Sequence, residues 1–346
     1  MDSRTVEEQL INVVRSHLTR DPRQVNAPFA SDAELIELSS DLCLACTTDS
    51  LHEEIELGIL ENPWTIGWTA VNINLSDLAA VGVEPLGMLL AWTLPSSIPT
   101  ETVKEISRGI ADAATVHKTA LLGGDVNTGS SLQICGTAFG LVPKAVARQR
   151  TGMKPGDRIF VTGSIGLGNA LGFSKLQKLE EAQEIEMHYR PTARFDARPV
   201  IRDVASACID SSDGLFASLD ILSRLNDCGI LYRQRPECYH SDARALASRF
   251  QIPLWLFAAA EHGEFELVFS VPGDRVQECL NRCRDLQLNV FEIGKAVEGS
   301  GFHVLTENRK AQIDIAFVRQ LSSSIREDPG SYVQSLLKYS RNVGLE

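Results

Sequence analysis

The stretch Ala207-Cys208-Ile209-Asp210-Ser211-Ser212-Asp213-Gly214 joins a short apolar run to two aspartates and a glycine. The same theme, an apolar run of strand length that ends in aspartate, occurs at residues 42–49, 71–77 and 120–125. A single aspartate after a strand is most often a turn or helix-capping residue. Four such runs in succession predict that carboxylates from separate segments gather at one end of an α/β structure.

Gathered carboxylates repel each other unless cations lie among them, and Mg²⁺ bound by carboxylate, water and phosphate oxygens meets that need. Gly123 and Gly124 permit a close approach of the backbone to a phosphate group. Gly214 precedes a predicted helix, and the N-terminus of a helix attracts anions. The pattern therefore predicts a site for a metal-bound nucleoside triphosphate.

Two common nucleotide-binding motifs are the alternatives to this interpretation. The sequence contains no Gly-x-x-x-x-Gly-Lys-Ser/Thr, which excludes a P-loop kinase. Residues 159–172 look like a strand followed by a dinucleotide-binding loop, but the last glycine of the loop is one position late. NAD binding is therefore the weaker interpretation.

Length and charge limit the class of protein. A chain of 346 residues is long enough for two domains of ordinary size, and its net charge of -12 argues against nucleic-acid and anionic-membrane partners. The first residues are amphipathic and lack the apolar stretch of a signal peptide, so we expect a cytoplasmic protein. Eight cysteines scattered through apolar runs are typical of free thiols in a reducing compartment.

The order of predicted elements divides the chain. The first half alternates strands and helices, including a helix from Pro63 through Ala80, and the second half restarts with a strand over residues 158–162. The apolar pattern breaks between Lys144 and Asp157, where charged residues, proline and glycine cluster. The predicted units are an N-terminal domain over residues 1–148, a C-terminal domain over 149–322 and a helical tail over 323–346.

Several blocks, in order along residues 26–270, resemble the thiamine-monophosphate kinases of the aminoimidazole-ribonucleotide synthetase superfamily. These blocks are Thr47–Asp49, Asn74–Pro85, Gly123–Asp125, Arg150–Asp157, Asp210–Leu215 and Gly263–Leu267. The resemblance implies a PurM-like architecture of the α/β plus α+β class. In it the N-terminal sheet forms a homodimer, and a C-terminal α+β domain completes a cleft for ATP and Mg²⁺.

The resemblance also implies roles for individual residues. The metal-binding positions are matched by Asp32, Thr48, Asp49, Asp77, Asp125 and Asp210. The positions that contact ATP are matched by Gly124, Asp125, Arg150 and Ser212. The predicted catalytic residues are Asp210, Asp213 and Arg150, and the substrate-binding positions fall on Glu56 and Gly263.

The two substrate-binding positions depart from the family, which has histidine where this chain has Glu56 and glutamate where it has Gly263. An ionised Glu56 would repel phosphate, and Gly263 would leave space, so an altered acceptor is expected if both line the pocket. His52 or His262 are alternative sources of the missing histidine. The predicted function is an ATP-dependent kinase of thiamine monophosphate or of a replacement acceptor. The alternatives are an ATP-dependent ligase or cyclising enzyme of the same superfamily, and a nucleotide-binding protein without turnover.

Overall fold

The protein was analysed as a computed structural model, which describes residues 6–322, 325 and 328–345. Its first half forms a five-stranded sheet with the strand order β1-β2-β5-β3-β4. The strands are β1 (Glu34–Glu37), β2 (Leu42–Leu51), β3 (Glu84–Pro95), β4 (Leu121–Gly129) and β5 (Gln133–Pro143). The helices of this half are α1 (Val6–Ser16), α2 (Glu53–Glu56), α3 (Pro63–Val81) and α4 (Thr100–Val116).

Helix α3 confirms the helix predicted from Pro63. The side chain of Asn62 accepts a hydrogen bond from the Thr65 N–H at 3.1 Å, and Pro63 occupies the first turn, where its missing N–H costs nothing. The helix ends at Gly82, whose φ of 76° is a left-handed conformation that suits glycine. Almost every residue of α3 is buried, which explains why its sequence looks like a run of strand length.

The second half forms a seven-stranded sheet with the order β12-β11-β8-β10-β6-β9-β7. Its strands are β6 (Arg158–Thr162), β7 (Ala207–Asp210), β8 (Gly229–Arg233), β9 (Leu267–Val271), β10 (Val290–Val297), β11 (Phe302–Leu305) and β12 (Lys310–Ile313). Its helices are α5 (Leu167–Leu176), α6 (Ala182–His188), α7 (Arg198–Asp203), α8 (Leu215–Leu225), α9 (Ser241–Phe250), α10 (Leu256–Ala259), α11 (Val276–Asp285), α12 (Ile315–Leu321) and α13 (Pro329–Asn342).

Two mixed sheets with helices confirm the predicted two-domain fold class. Within each sheet only one strand pair is parallel, β3 with β4 in the first and β8 with β11 in the second. The first half is therefore closer to α+β than its alternating elements indicated. The predicted boundary at residue 148 falls between β5 and β6 and stays a prediction.

Helix α3 also joins the two halves. The Trp68 indole donates to the Pro191 carbonyl at 2.6 Å, and the Ser76 hydroxyl donates to the Phe265 carbonyl at 3.3 Å. Because Ser76 lies at the C-terminal end of α3, this contact brings Asp77 close to the second sheet. The junction of the two halves is therefore the place where residues of both can form one site.

The predicted helical tail corresponds in part to α13, while residues 323, 324, 326, 327 and 346 lie outside the described part of the chain. The indole of Trp255, which is buried, donates to the Leu345 carbonyl at 3.1 Å. The end of the chain is therefore packed against the second half. No described helix has the length and apolar character that crossing a membrane requires.

Candidate active site

Three aspartates from separate segments converge at the junction of the two halves. Asp32 precedes β1, Asp77 lies near the end of α3, and Asp210 is the last residue of β7. One carboxylate oxygen of each lies within 4.8 Å of those of the other two. We refer to these three residues as the carboxylate cluster.

The chemistry of the carboxylate cluster fits a divalent cation. Asp32 Oδ2 and Asp210 Oδ2 are buried and lack a hydrogen-bond partner among the described residues. Burial, followed by the charges of Asp210 and Asp32, raises the pKa of Asp77 well above its ordinary value. Burial and the charge of Asp32 raise the pKa of Asp210 to about 7. A hard cation such as Mg²⁺ would remove this repulsion and use the unpaired oxygens.

Arg150 supplies positive charge beside the cluster. Its Nη2 donates to Asp32 Oδ1 at 2.9 Å, and the two side chains are 19% and 1% exposed. Burial acts to lower the pKa of this guanidinium, but the attraction of Asp32 outweighs burial and the pKa is raised. Because one arginine cannot neutralise three carboxylates, the cluster still favours a metal ion or bound protons.

Strand β2 presents its polar residues to opposite sides. The Thr47 hydroxyl donates to Asp77, whereas the Thr48 hydroxyl donates to the Gly136 carbonyl of the neighbouring strand at 2.7 Å. Side chains alternate along a strand, so Thr47 and Asp49 share a face and Thr48 belongs to the other. Burial raises the pKa of Asp49 to about 6. Thr47 contacts the cluster, although it was not among the residues predicted from the sequence. The alternation of side chains along β2 was the signal that could have identified it.

Strand β4 holds the predicted nucleotide residues Gly124 and Asp125 away from the cluster. Asp125 is exposed and accepts a hydrogen bond from Asn127 Nδ2 at 2.7 Å. A Cβ atom on Gly124 would lie 1.8 Å from the Leu90 carbonyl oxygen of β3, so this position requires glycine. Within one copy of the chain, β4 contributes an exposed sheet edge instead of a wall of the cluster.

A pocket of about 550 Å³ adjoins the cluster. Asp49, Ser212 and Asp213 line the end nearest the cluster, where the Ser212 hydroxyl donates to Asp210 Oδ1 at 3.0 Å. Further acidic lining residues are Glu53, Glu54 and Glu261. Apolar lining comes from α5, α10 and α13, and includes Phe173, Phe257, Val333 and Leu337. The pocket therefore combines an acidic wall with an apolar wall.

Neither predicted substrate residue is among the described residues that line this pocket. Glu56 is exposed, and its Oε2 lies 3.9 Å from His52 Nε2. Glu53 and Glu54 of the same short helix, α2, do line the pocket. Gly263 leaves no space, because a Cβ there would lie 1.5 Å from the Ser211 carbonyl oxygen. The adjacent His262 lines the pocket, and burial lowers its pKa to about 4, so its imidazole is neutral at pH 7.

Asp213 of the aspartate-rich turn forms an ion pair that the sequence did not indicate. Arg319 of α12 lines the same pocket, with Nη2 3.4 Å from Asp213 Oδ2 and Nε 3.2 Å from Glu261 Oε1. The arginine side chain is 7% exposed, whereas that of Asp213 is 54% exposed. Arg319 thus places a cation beside the turn Asp210–Gly214.

The glycine-rich loop that resembled a dinucleotide site is occupied by the protein itself. The Gly168 N–H, in the first turn of α5, donates to Glu264 Oε1 at 2.8 Å. A Cβ on Gly168 would lie 2.3 Å from the His262 carbonyl oxygen, so the loop is closed by this segment. A buried carboxyl group takes the place that a dinucleotide phosphate would need, which disfavours NAD binding here.

The buried Glu264 predicts a dependence of stability on pH. Burial raises its pKa from 4.5 to about 8, so the folded protein holds a proton here that the unfolded chain releases at lower pH. The stabilisation is complete below about pH 4 and is lost as the pH rises to about 8. Glu264→Gln cannot titrate, and we expect its melting temperature to rise relative to wild type between about pH 5 and about pH 8.

Thermal unfolding of both proteins across this pH range checks the prediction. Glu298→Gln, which changes an exposed glutamate, is the matched control and should show no such trend. A difference between Glu264→Gln and wild type that stays constant with pH would contradict the prediction.

Comparison with known proteins places this site in a family. The model for AIR synthase related protein, N-terminal domain, matches residues 30–142, and the model for the C-terminal domain matches residues 154–306. Thiamine-monophosphate kinase of Salmonella typhimurium is 32% identical over 262 residues, covering 72% of this chain and 77% of that protein. Thiamine-monophosphate kinase of Pyrococcus abyssi is 26% identical over 323 residues, covering 92% of this chain and 97% of that protein.

A solved structure described as AaThiL complexed with AMPPCP and TMP has a similar fold. Its TM-score is 0.73 at 24% identity, and the match covers 89% of this chain and 97% of that one. The fold, the two domain models and the identity to the Salmonella enzyme agree with each other. The chain therefore belongs to the thiamine-monophosphate kinase family.

Proposed function

We propose that this protein is a Mg²⁺-dependent kinase that transfers the γ-phosphoryl group of ATP to thiamine monophosphate. The observation that carries the proposal is the carboxylate cluster beside a pocket with one acidic and one apolar wall. Thiamine contains a cationic thiazolium ring and an aromatic pyrimidine, which suit those two walls. The names of the relatives and the AMPPCP and TMP of the solved structure support the same reaction.

Asp32, Asp77 and Asp210 would hold Mg²⁺, with Asp49 beside them. The bound metal would neutralise phosphate charge and orient the triphosphate. By family resemblance we assign Thr48 and Asp125 to the same metal set and Gly124, Asp125, Arg150 and Ser212 to ATP contacts. Because Asp125 lies on the exposed strand β4, we expect its part in the site to depend on a homodimer formed through that strand.

The chain needs no general base for this transfer. A phosphate monoester has a second pKa near 6, so the attacking oxygen of the acceptor is already anionic at pH 7. The task of the protein is to hold two anionic groups together and to stabilise the charge of the transferred group. Arg150, Asp210 and Asp213 are the residues that we assign to this task, Arg150 by its charge and Asp210 through bound metal.

Thiamine monophosphate remains the expected acceptor. The sequence predicted an altered acceptor on the condition that Glu56 and Gly263 line the pocket. In the structure neither residue is among the described residues that line it. Glu54 does line it, and burial raises the pKa of Glu54 to about 7. A carboxyl group of this kind can either donate or accept a hydrogen bond at neutral pH, which suits an aminopyrimidine ring.

Product analysis with ATP, Mg²⁺ and thiamine monophosphate tests the proposal. Formation of ADP and thiamine diphosphate in equal amounts is the expected result. ADP with free phosphate and a cyclised or ligated product would instead identify a ligase of the superfamily. Nucleotide binding without consumption would identify a regulator.

We further propose that the protein is a cytoplasmic homodimer formed through β4. This strand is the edge of its sheet, and Val126 is 67% exposed, Leu122 58% and Leu121 47%. An exposed apolar edge strand is an association surface. Its pairing with a second copy would also bring Asp125 next to another chain. The eight free cysteines are consistent with a reducing compartment.

Val126→Glu is expected to convert the dimer into a monomer, because it places a charge at the centre of this edge. Sedimentation velocity at micromolar concentration measures the change. Val116→Glu alters an equally apolar side chain, 56% exposed, at the end of α4 and should leave the dimer intact. A wild-type protein that sediments as a monomer would contradict the proposal.

A further inference from the structure

Among the described residues that line the pocket, Arg319 is the only one that is a lysine or an arginine. The acidic residues that share this lining are Asp49, Glu53, Glu54, Asp213 and Glu261. An excess of carboxylates attracts a cationic ring but repels a phosphate group. An acceptor that carries both a cationic ring and a phosphate therefore needs a local positive charge, and Arg319 supplies it.

Arg319 contacts the turn Asp210–Gly214, which leads from the pocket to the carboxylate cluster. Its Nη2 is 3.4 Å from Asp213, and the adjacent Ser212 is hydrogen-bonded to Asp210 of the carboxylate cluster. The phosphate must approach the cluster to receive the γ-phosphoryl group, while the rings extend toward the apolar wall. The ion pair with Asp213 puts the guanidinium on the side of the pocket that carries this turn.

The ion pairs of Arg319 leave it available to a stronger partner. Its contacts of 3.4 Å and 3.2 Å exceed the 2.9 Å contact between Arg150 and Asp32. Strong bonds between a guanidinium and an anion are about 2.7–2.9 Å long. The contacts of Arg319 are longer than this, so its planar donors can form a shorter, bidentate contact with a phosphate.

We propose that Arg319 binds the phosphate group of the acceptor and so selects thiamine monophosphate over unphosphorylated thiamine. This inference rests on the proposed kinase function and adds a residue from α12 to the acceptor site. Residue 319 lies beyond the segment 154–306 that the C-terminal family model matches. The selection uses the charge and geometry of the guanidinium, without a covalent step.

Binding of the two ligands to Arg319→Gln tests the inference. Titration calorimetry with Mg²⁺ and a non-hydrolysable ATP analogue should show a dissociation constant for thiamine monophosphate raised about ten- to hundredfold. The constant for thiamine, which lacks the phosphate, should not rise, since no phosphate contact is lost and the acidic wall that attracts the cationic ring is kept. Arg319→Lys keeps the positive charge but lacks the planar set of donors. Its dissociation constant for thiamine monophosphate should lie between those of wild type and Arg319→Gln.

Glu261→Gln separates phosphate binding from a structural role of the ion pair. It removes one ion pair of Arg319 and one carboxylate of the acidic wall but keeps the guanidinium, so the preference for thiamine monophosphate over thiamine should stay at or above its wild-type value. Loss of that preference in Glu261→Gln as well as in Arg319→Gln, or equal weakening of both ligands by Arg319→Gln, would overturn the inference. A wild-type protein that forms no thiamine diphosphate would overturn the proposed function instead.

Discussion

Asp77→Asn is expected to lose turnover by about 10²- to 10³-fold or more, because it removes a charged group of the proposed metal site. The same change should stabilise the metal-free protein. Three buried carboxylates repel one another, and the amide removes one charge while keeping an oxygen that can accept the Thr47 hydroxyl. Loss of activity together with gain of stability is the pattern of a functional site that is strained without its ligand.

Thermal unfolding at pH 8, with chelator and with Mg²⁺, measures the second effect. Wild type should be stabilised by Mg²⁺ through mass action, and Asp77→Asn should respond much less. Asp285→Asn, which alters an exposed carboxylate at the end of α11, is the control and should behave like wild type. An Asp77→Asn protein that is less stable than wild type in chelator would contradict the assignment of this cluster to a metal.

The sequence predicted the cluster better than it predicted the acceptor pocket. The resemblance assigned Asp32, Asp77 and Asp210 to the metal-binding positions, and the structure brings their carboxylates together. Thr48 was chosen over Thr47 because the resemblance matched a motif, although alternation along β2 places Thr47 on the side of Asp77. The alternation of side chains along β2 can be read from the sequence, but which face of the strand meets α3 depends on packing.

The acceptor side depends on contacts that no local pattern contains. Glu53, Glu54 and Glu56 are crowded in one short helix, and only its packing decides which of them face the pocket. Gly263 was expected to open space, whereas the backbone of Ser211 fills it. Arg319 reaches Asp213 across 106 residues of sequence, a separation at which spacing carries no information. Long-range packing is what the sequence alone did not provide.

Arg150→Met is expected to cost about 3–5 kcal/mol in the free energy of unfolding of the metal-free protein. The methionine keeps most of the apolar stem but leaves the buried Asp32 without its cation, in a cluster that already holds an excess of carboxylates. Mg²⁺ would restore part of the loss, because it supplies positive charge to the same oxygens. Urea unfolding in chelator and in Mg²⁺ measures both values.

A double variant identifies the cause of that loss. Asp32→Asn in the Arg150→Met background removes the uncompensated charge, so the pair of changes should cost less than Arg150→Met alone. Arg158→Met is the matched control, since its ion pair with Glu292 is more exposed, at 42% and 23%, and should contribute about 0–1 kcal/mol. Arg150 does not act by compensating the buried charge if Arg150→Met and Arg158→Met lower the free energy of unfolding by the same amount. The same conclusion follows if Asp32→Asn lowers that free energy further in the Arg150→Met background. Recovery by the double variant would instead show that Arg150 stabilises the metal-free protein by compensating the charge of Asp32.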